Sequence, residues 1–365
     1  MGRRQRHALR GGGIINYGKY NMTDAATQSP VKMKFKLKKV LVTLGPLLGL
    51  LLVYCFFAIK APADSNFLSL LNTQTIITQT VIVAIGAIGM TLVIVSGGID
   101  LSAGSQIALG TVVTALIVTK IAGPDAENAS WGAALLAALC AIGVCALCGF
   151  VNGIISTSLR IVPFIVTLGM MQVARGVAKM LAKNQIVVTP DNFLQNTMNV
   201  QPEPSWLLVA YGVWLMLLLL IIMHFVLKHA VFGRHVYAIG SNEQTARLCG
   251  IKVKTDRVLI YMICGAFLGI AGVMQYGNLN VGDPTAAQGM ELDIIAAVVI
   301  GGGSLSGGEG GVLGSFIGAL IMAVLRNGCT MLGVENYFQE IIIGVIIVSA
   351  VGIDFIKHKL TSGSA

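Results

Sequence analysis

Hydrophobic residues fall along this chain in long runs, separated by short polar stretches. The runs lie near 40–59, 70–96, 103–121, 131–156 and 162–182, then near 206–227, 258–277, 290–302, 311–327 and 337–355. At 1.5 Å rise per residue, ~20 apolar residues cross the ~30 Å hydrocarbon of a bilayer. The run WLLVAYGVWLMLLLLIIMHFVL (206–227) meets that length without one charged side chain. No strand-period alternation competes with the runs. The pattern predicts an all-α polytopic membrane protein with about ten transmembrane helices. The eighth run is too short to cross as one straight helix, so it is expected to be a half-helix. The glycine-rich stretch after it would complete the passage against protein rather than lipid.

Composition agrees: 55% of residues are hydrophobic and 11% charged, against about 25% charged in a soluble domain. The net charge of +9 at first suggests a nucleic-acid partner, but its placement excludes one. Residues 1–39 hold ten Lys and Arg against one acid, Asp24. Such a tail before a first apolar span marks the cytoplasmic side. With ten crossings both termini are cytoplasmic, and the segments then predicted to be inside hold 19 of the 25 Lys and Arg. The expected organisation is a basic, largely disordered tail (1–39), a membrane domain (40–356) with one sizeable cytoplasmic loop (228–257), and a short cytoplasmic C-terminal tail (357–365).

The membrane domain contains a repeat. GGIDLSAGSQIALGTVVTALI (97–117) aligns without gaps on GGGSLSGGEGGVLGSFIGALI (301–321), with ten identities in twenty-one positions. Glycine-rich interruptions at matching places in two halves of a transporter point to its pathway, because a broken helix exposes termini that can hold or gate a polar solute. The candidate path or gate residues are Gly97, Gly98, Asp100, Gly301, Gly302, Ser306, Gly307 and Gly308, with Gln79, Asn152 and Gln172 as polar groups inside apolar spans. Close helix packing is the competing explanation for the glycines. Arg175 is a further polar group, and Glu291, Asp293 and Glu309 flank the breaks.

The loop 228–257 carries six bases and two acids. Within it, SNEQTARLCG has the signals of a helix of about two turns. Ser241 or Asn242 is the N-cap, Gln244 completes a capping box with Ser241, and Gly250 ends the helix. Glu243 and Arg247 are spaced as an i, i+4 pair. Ala246 and Leu248 offer apolar contacts. So short a helix needs support from the membrane domain or from a partner.

Catalytic chemistry finds little footing. LSGGE (305–309) is one letter from LSGGQ, the signature with which ABC ATPases grip the γ-phosphate of ATP. No phosphate-binding G-x-x-x-x-G-K-[ST] accompanies it, so the match is a glycine-rich coincidence. The seven cysteines lack metal-ligand spacing and read as small packing residues. The five histidines are scattered, and GGSL (302–305) has no base for Ser304 within the apolar spans.

Four blocks in this order, VSGGIDLSAGS (95–105), VPFIVTLGMM (162–171), FGRHVYAIGSNEQTARLCGI (232–251) and ELDIIAAVVIGGGSLSGGEGGVLGSFIGALI (291–321), resemble the ribose/galactose-type sugar ABC importer permeases. The resemblance covers about 40–356 and is nearest the ribose permeases. It implies a multi-pass permease of the cell (inner) membrane, working as a homodimer. Its implied partners are a cytoplasmic ABC ATPase, which binds ATP and Mg, and a periplasmic or lipid-anchored sugar-binding protein that delivers a monosaccharide. No cofactor is implied on this chain. The family's coupling helix to the ATPase corresponds to Ala238–Ile251. The long basic N-terminus and Arg326 depart from the family pattern. The alternative class is an ion-coupled secondary transporter of a small polar solute, which the scarcity of mid-span charges disfavours.

Overall fold

The computed structural model describes residues 31–62, 66–123, 126–204 and 206–362. The chain divides into two compact units, Met1–Val42 and Thr43–Ala365. Of the first, residues 31–42 are described and are helical; the remainder of the expected tail lies outside the described residues.

The helices are α1 (Val31–Lys60), α2 (Leu70–Val95), α3 (Ala103–Ala122), α4 (Trp131–Ser158), α5 (Pro163–Leu181) and α6 (Tyr211–His229), followed by α7 (Val231–Ser241), α8 (Glu243–Leu248), α9 (Val253–Leu279), α10 (Met290–Ile300), α11 (Val312–Met331) and α12 (Asn336–Ser362). Two-residue strands β1 (Val187–Val188) and β2 (Val281–Gly282) pair antiparallel. Seven helices (α2–α6, α9 and α11) are long and apolar enough to cross a membrane, and Gly45–Lys60 and Asn336–Ser349 are shorter apolar stretches. The eighth expected span is the half-helix α10.

Local signals set several helix starts. Ser69 Oγ accepts the amide of Asn72 at 3.1 Å, and Ser130 Oγ that of Ala133 at 3.3 Å. Pro163 opens α5 where its missing N–H costs nothing. The central contact is α4 on α9. Cys145, Gly149 and Gly153 recur every four residues along α4, and Gly265 and Gly269 answer on α9. A methyl on Gly149 would lie 2.1 Å from the Tyr261 carbonyl oxygen, so the backbones touch, as membrane helices joined through small residues do. Cys145 fills this seam. Leu135, Leu139 and Leu147 on α4, like Leu218, Ile221 and Phe225 on α6, are exposed. Apolar side chains on the outside and a tight small-residue seam within suit a lipid environment.

Besides the glycine-rich stretch 301–311, segments 96–102 and 281–289, packed against α3 or α9, depart from the helical pattern. Residues 96–102 lie beside the first third of α9: Gly98 sits against the Tyr261 hydroxyl, and Gly110 further along α3 meets Gly272. Residues 281–289 turn back beside α3. Gly282 lies against Ala115, the Asp283 carbonyl accepts from Thr111 Oγ1 at 3.1 Å, and the Ala287 carbonyl lies by Gly104. Arg175 Nη1 donates to the carbonyls of Pro284 (3.0 Å) and Ala286 (2.7 Å). Pairing of β2 with β1 and these side-chain bonds satisfy a non-helical backbone at bundle depth. Here the structure corrects the expectation for the eighth span. The extended segment before α10 supplies the missing length, because α9 has already carried the chain to the far end and it must descend before helix can resume.

Candidate functional site

A polar cavity of about 750 Å³ lies between α2, α9, α10, α11 and α12. Nine amides line it, among them Asn72, Gln79, Gln275, Asn278, Gln288 and Asn327. It reaches from Ser69, the N-cap of α2, as far as Ile82 and Val83, about half the length of that helix. Met290 and Asp293 from the first turn of α10 form its deep end, where a helix N-terminus favours acidic groups. Asp293 Oδ2 accepts from Arg326 Nη2 at 2.6 Å, with side-chain exposures of 7% and 44%. Asn327 Nδ2 donates to Asn72 Oδ1 at 2.9 Å, and Asn72 Nδ2 donates to the Phe67 carbonyl at 2.9 Å. The wall is therefore rich in paired donors and acceptors, and its one ion pair is internally neutralised. Such a surface replaces the hydration of a neutral, hydroxyl-rich solute, each unpaired hydroxyl of which costs a few kcal/mol to desolvate.

Of the residues singled out from sequence, Gln79, Asp293 and Arg326 line this cavity. Asn72, Gln275, Asn278, Gln288 and Asn327 were not anticipated. A signal existed: Asn72, Thr75 and Gln79 share one face of α2 at helical spacing, and Gln275 and Asn278 repeat at i, i+3 on α9. Gln172 is exposed on α5 and does not line the cavity, because α5 buries its opposite face through Thr167, Ala174 and Ala178. Asn152 and Asp100 are buried together beside Ser102, away from the cavity.

The two repeat copies meet at the other end of α2. Each is a helix, a glycine-rich break and a helix: α2, 96–102 and α3, then α10, 301–311 and α11. The breaks close on α7. Gly308 N donates to the Val95 carbonyl at 2.8 Å, and the Tyr237 hydroxyl donates to the Gly310 carbonyl at 2.8 Å. Gly240 is wedged between them, where a methyl group would lie 1.7 Å from Val95 O and 2.6 Å from Gly308 N. Gly307, with φ +84°, rests its α-carbon against Gly97 and the Gly240 carbonyl. Gly97, Gly307 and Gly308 lie at this junction, while Gly98 packs on Tyr261 and Gly301 on Gly314; none of these, nor Gly302 or Ser306, lines the amide cavity. Half-helix α10 connects the two, with Asp293 at one end and Gly301 at the other.

Next to the junction is α8. Asn242 is its N-cap and accepts from the Thr245 amide at 2.9 Å. Ser241 is not a cap: it is the last residue of α7, held helical against Gly308, so no capping box forms with Gln244. Gly250, with φ +86°, follows the helix end as expected. Glu243 pairs with Arg247 and also with Arg257 (2.9 Å) on α9. Partial burial works to raise the Glu243 carboxyl pKa, but Arg257 and then Arg247 outweigh it and hold it below the usual value. Ala246, 3% exposed, packs with Ile239 and Val253 and faces the protein rather than a partner. Leu248 is 89% exposed. The support that a two-turn helix requires comes from Ala246 and Arg257, and its free apolar contact is Leu248.

Comparison with known proteins adds the following. The family described as "Branched-chain amino acid transport system / permease component" matches residues 72–351. The ribose import permease protein RbsC of Escherichia coli K12 is 38% identical over 312 residues, covering 84% of this chain and 92% of that protein. RbsC of Bacillus subtilis is 36% identical over 316 residues, covering 86% and 93%. The galactose/methyl galactoside import permease MglC of Escherichia coli K12 is 34% identical over 303 residues, covering 81% and 89%. No solved structure matches the chain.

Proposed function

The chain belongs to the family of branched-chain amino acid transport system permease components, and we propose that it is the membrane-spanning subunit of an ATP-driven importer of a monosaccharide, ribose or a close relative. The observation that carries the choice of substrate is the amide-lined cavity, whose one ion pair, Asp293–Arg326, is already mutually satisfied. A neutral polyol finds partners there without a free charge to repel or trap it.

The chain offers no phosphate-binding loop, so ATP and Mg act on a separate ABC ATPase. That partner docks on α8 through Leu248, with Glu243 and Arg247 on its flank. A push on α8 moves the C-terminal end of α7. Because Gly240 lies in backbone contact with both breaks, the displacement passes to Gly307–Gly308 and to Gly97–Gly98. Half-helix α10 begins at the cavity and ends at the junction, so its movement shifts Asp293 and with it the Arg326 pair. The cavity end of the bundle faces outward to receive sugar from a periplasmic or lipid-anchored binding protein. The α8 end and both termini face the cytoplasm of a cell (inner) membrane protein, and two copies form the working permease. Release requires only modest affinity in the path.

The test is uptake by proteoliposomes containing the permease, its co-purifying ATPase and the binding protein. ATP-dependent, vanadate-sensitive uptake of labelled ribose, galactose or fructose supports the reading. Uptake of leucine in place of every sugar contradicts the substrate, and isolation without any ATPase contradicts the coupling.

A further inference from the structure

We propose that the break between α2 and α3 holds a monovalent cation of sodium size, bound by oxygen atoms of Asp100, Gln106 and Asn152. These three side chains are fully buried. Their geometry turns on one hydroxyl. Ser102 Oγ donates to Asp100 Oδ1 and accepts from Gln106 Nε2 at 2.8 Å and Asn152 Nδ2 at 3.2 Å, while the Ser102 amide also donates to Asp100 Oδ1 at 2.9 Å. With the amide nitrogens turned toward Ser102, three acceptors remain: Asp100 Oδ2, Gln106 Oε1 and Asn152 Oδ1. None has a hydrogen-bond partner among the described residues, and neither has the buried Tyr261 hydroxyl. Each of the three belongs to the same planar group as an atom bonded to Ser102 Oγ. All three therefore lie close to that hydroxyl, where an ion beside it can draw them to one point.

Charge decides what can sit there. Among the described residues no Lys, Arg or His makes a salt bridge to Asp100, and a buried carboxylate is costly unless it is paired or neutralised. A water molecule supplies hydrogen bonds but leaves the charge. A proton on Oδ2 cancels the charge but provides one donor for two amide oxygens. A cation does both, with the Tyr261 hydroxyl as a fourth oxygen. One carboxylate with neutral oxygens suits a monovalent ion, whereas calcium sites usually gather several carboxylates. Among the described residues no group of three His, Cys, Asp or Glu could hold a transition metal. Non-helical chain breaks within membrane bundles are where alkali cations find such oxygens. The ion ties α3 to α4, with Tyr261 of α9 beside it, and fixes the break while the glycine junction moves.

The test is thermal unfolding of the purified full-length chain in lipid nanodiscs. A sodium chloride series is held at constant ionic strength with choline chloride. The expected result is a saturable rise in the unfolding midpoint with sodium, absent in Asp100→Asn and displaced about tenfold to higher concentration in Asn152→Leu. An unmodified protein with the same midpoint in sodium and choline overturns the proposal, as does a folded Asp100→Asn protein that keeps the full sodium response. If Asp100→Asn does not fold, the sodium series on the unmodified chain and on Asn152→Leu decides.

Discussion

Gly240→Ala adds one methyl group where the structure has least room for it. The new carbon would lie 1.7 Å from Val95 O, 2.6 Å from Gly308 N and 2.9 Å from Val95 C, all backbone atoms. No rotamer change relieves the clash. Restoring van der Waals separation requires α7 to retreat from both breaks by roughly 1.5 Å. Overpacking of this kind costs about 1–3 kcal/mol. If α7 instead stays in place, the methyl group parts the 2.8 Å bond from Gly308 N to Val95 O, and leaving those groups unpaired costs about 1–3 kcal/mol. Either route costs roughly 1–3 kcal/mol, or a melting-point loss of about 2–4 °C for a domain of this size. The functional effect should exceed the loss of stability, because the contact is the link between α8 and the breaks. In reconstituted vesicles at a temperature where the variant is folded, we expect ATP-driven sugar uptake to fall at least tenfold while the ATPase still binds. Tyr237→Phe, which removes only the bond to the Gly310 carbonyl, should cost about 1 kcal/mol and leave most uptake intact. A Gly240→Ala protein with normal melting and normal uptake would refute the idea that this contact transmits movement.

Three further outcomes are expected. Leu248→Asp removes an exposed contact and should leave the melting temperature within about 1 °C of the parent while abolishing co-purification of the ATPase, measured by pull-down in mild detergent. Arg326→Met strands the buried Asp293 carboxylate, for which we expect a loss of about 1–2 kcal/mol after allowing for the exposure of Arg326, read as a lowered melting point, and slowed sugar uptake. Because Glu243 is held below the ordinary carboxylate pKa by Arg257 and Arg247, its pairing stabilises α8 fully above about pH 4.3 and is lost as pH falls through the lower folded value. ATPase binding by the unmodified protein should therefore not change between neutral pH and about pH 5.5 through this group, and a loss in that window that Glu243→Gln removes would contradict the assignment.

The membrane class and most span positions were legible because hydrophobic length is a local property. The run 206–227 and helix α6 (Tyr211–His229) differ by only a few residues. The repeat was legible as letters at a fixed offset, but not its consequence. That Gly97 and Gly307 meet on Gly240 depends on how α2, α7 and α10 pack, and no pairwise spacing encodes it. The capping box at Ser241 failed because tertiary contact with Gly308 holds Ser241 in the preceding helix, leaving Asn242 as the boundary. The apolar contact expected of Ala246 is made within the chain, to Ile239 and Val253, which lie far enough along the sequence that the local pattern does not reveal them. The cavity was the largest omission. Asn72 and Asn327 are far apart in sequence, and each reads alone as an isolated amide in an apolar helix.

The central claim is that sugar crosses through the amide cavity under control of the distant α8. The most direct measurement is labelling of Gln79→Cys by a membrane-impermeant thiol reagent, in a background without the exposed Cys55 and Cys249, with Gln172→Cys on α5 for comparison. The account predicts that Gln79→Cys is labelled, that its rate changes between nucleotide-free and ATP-bound complexes, and that transported monosaccharide slows it, while Gln172→Cys responds to neither. A Gln79→Cys residue that stays unlabelled in every state, or reacts at one rate regardless of nucleotide and sugar, would contradict the account.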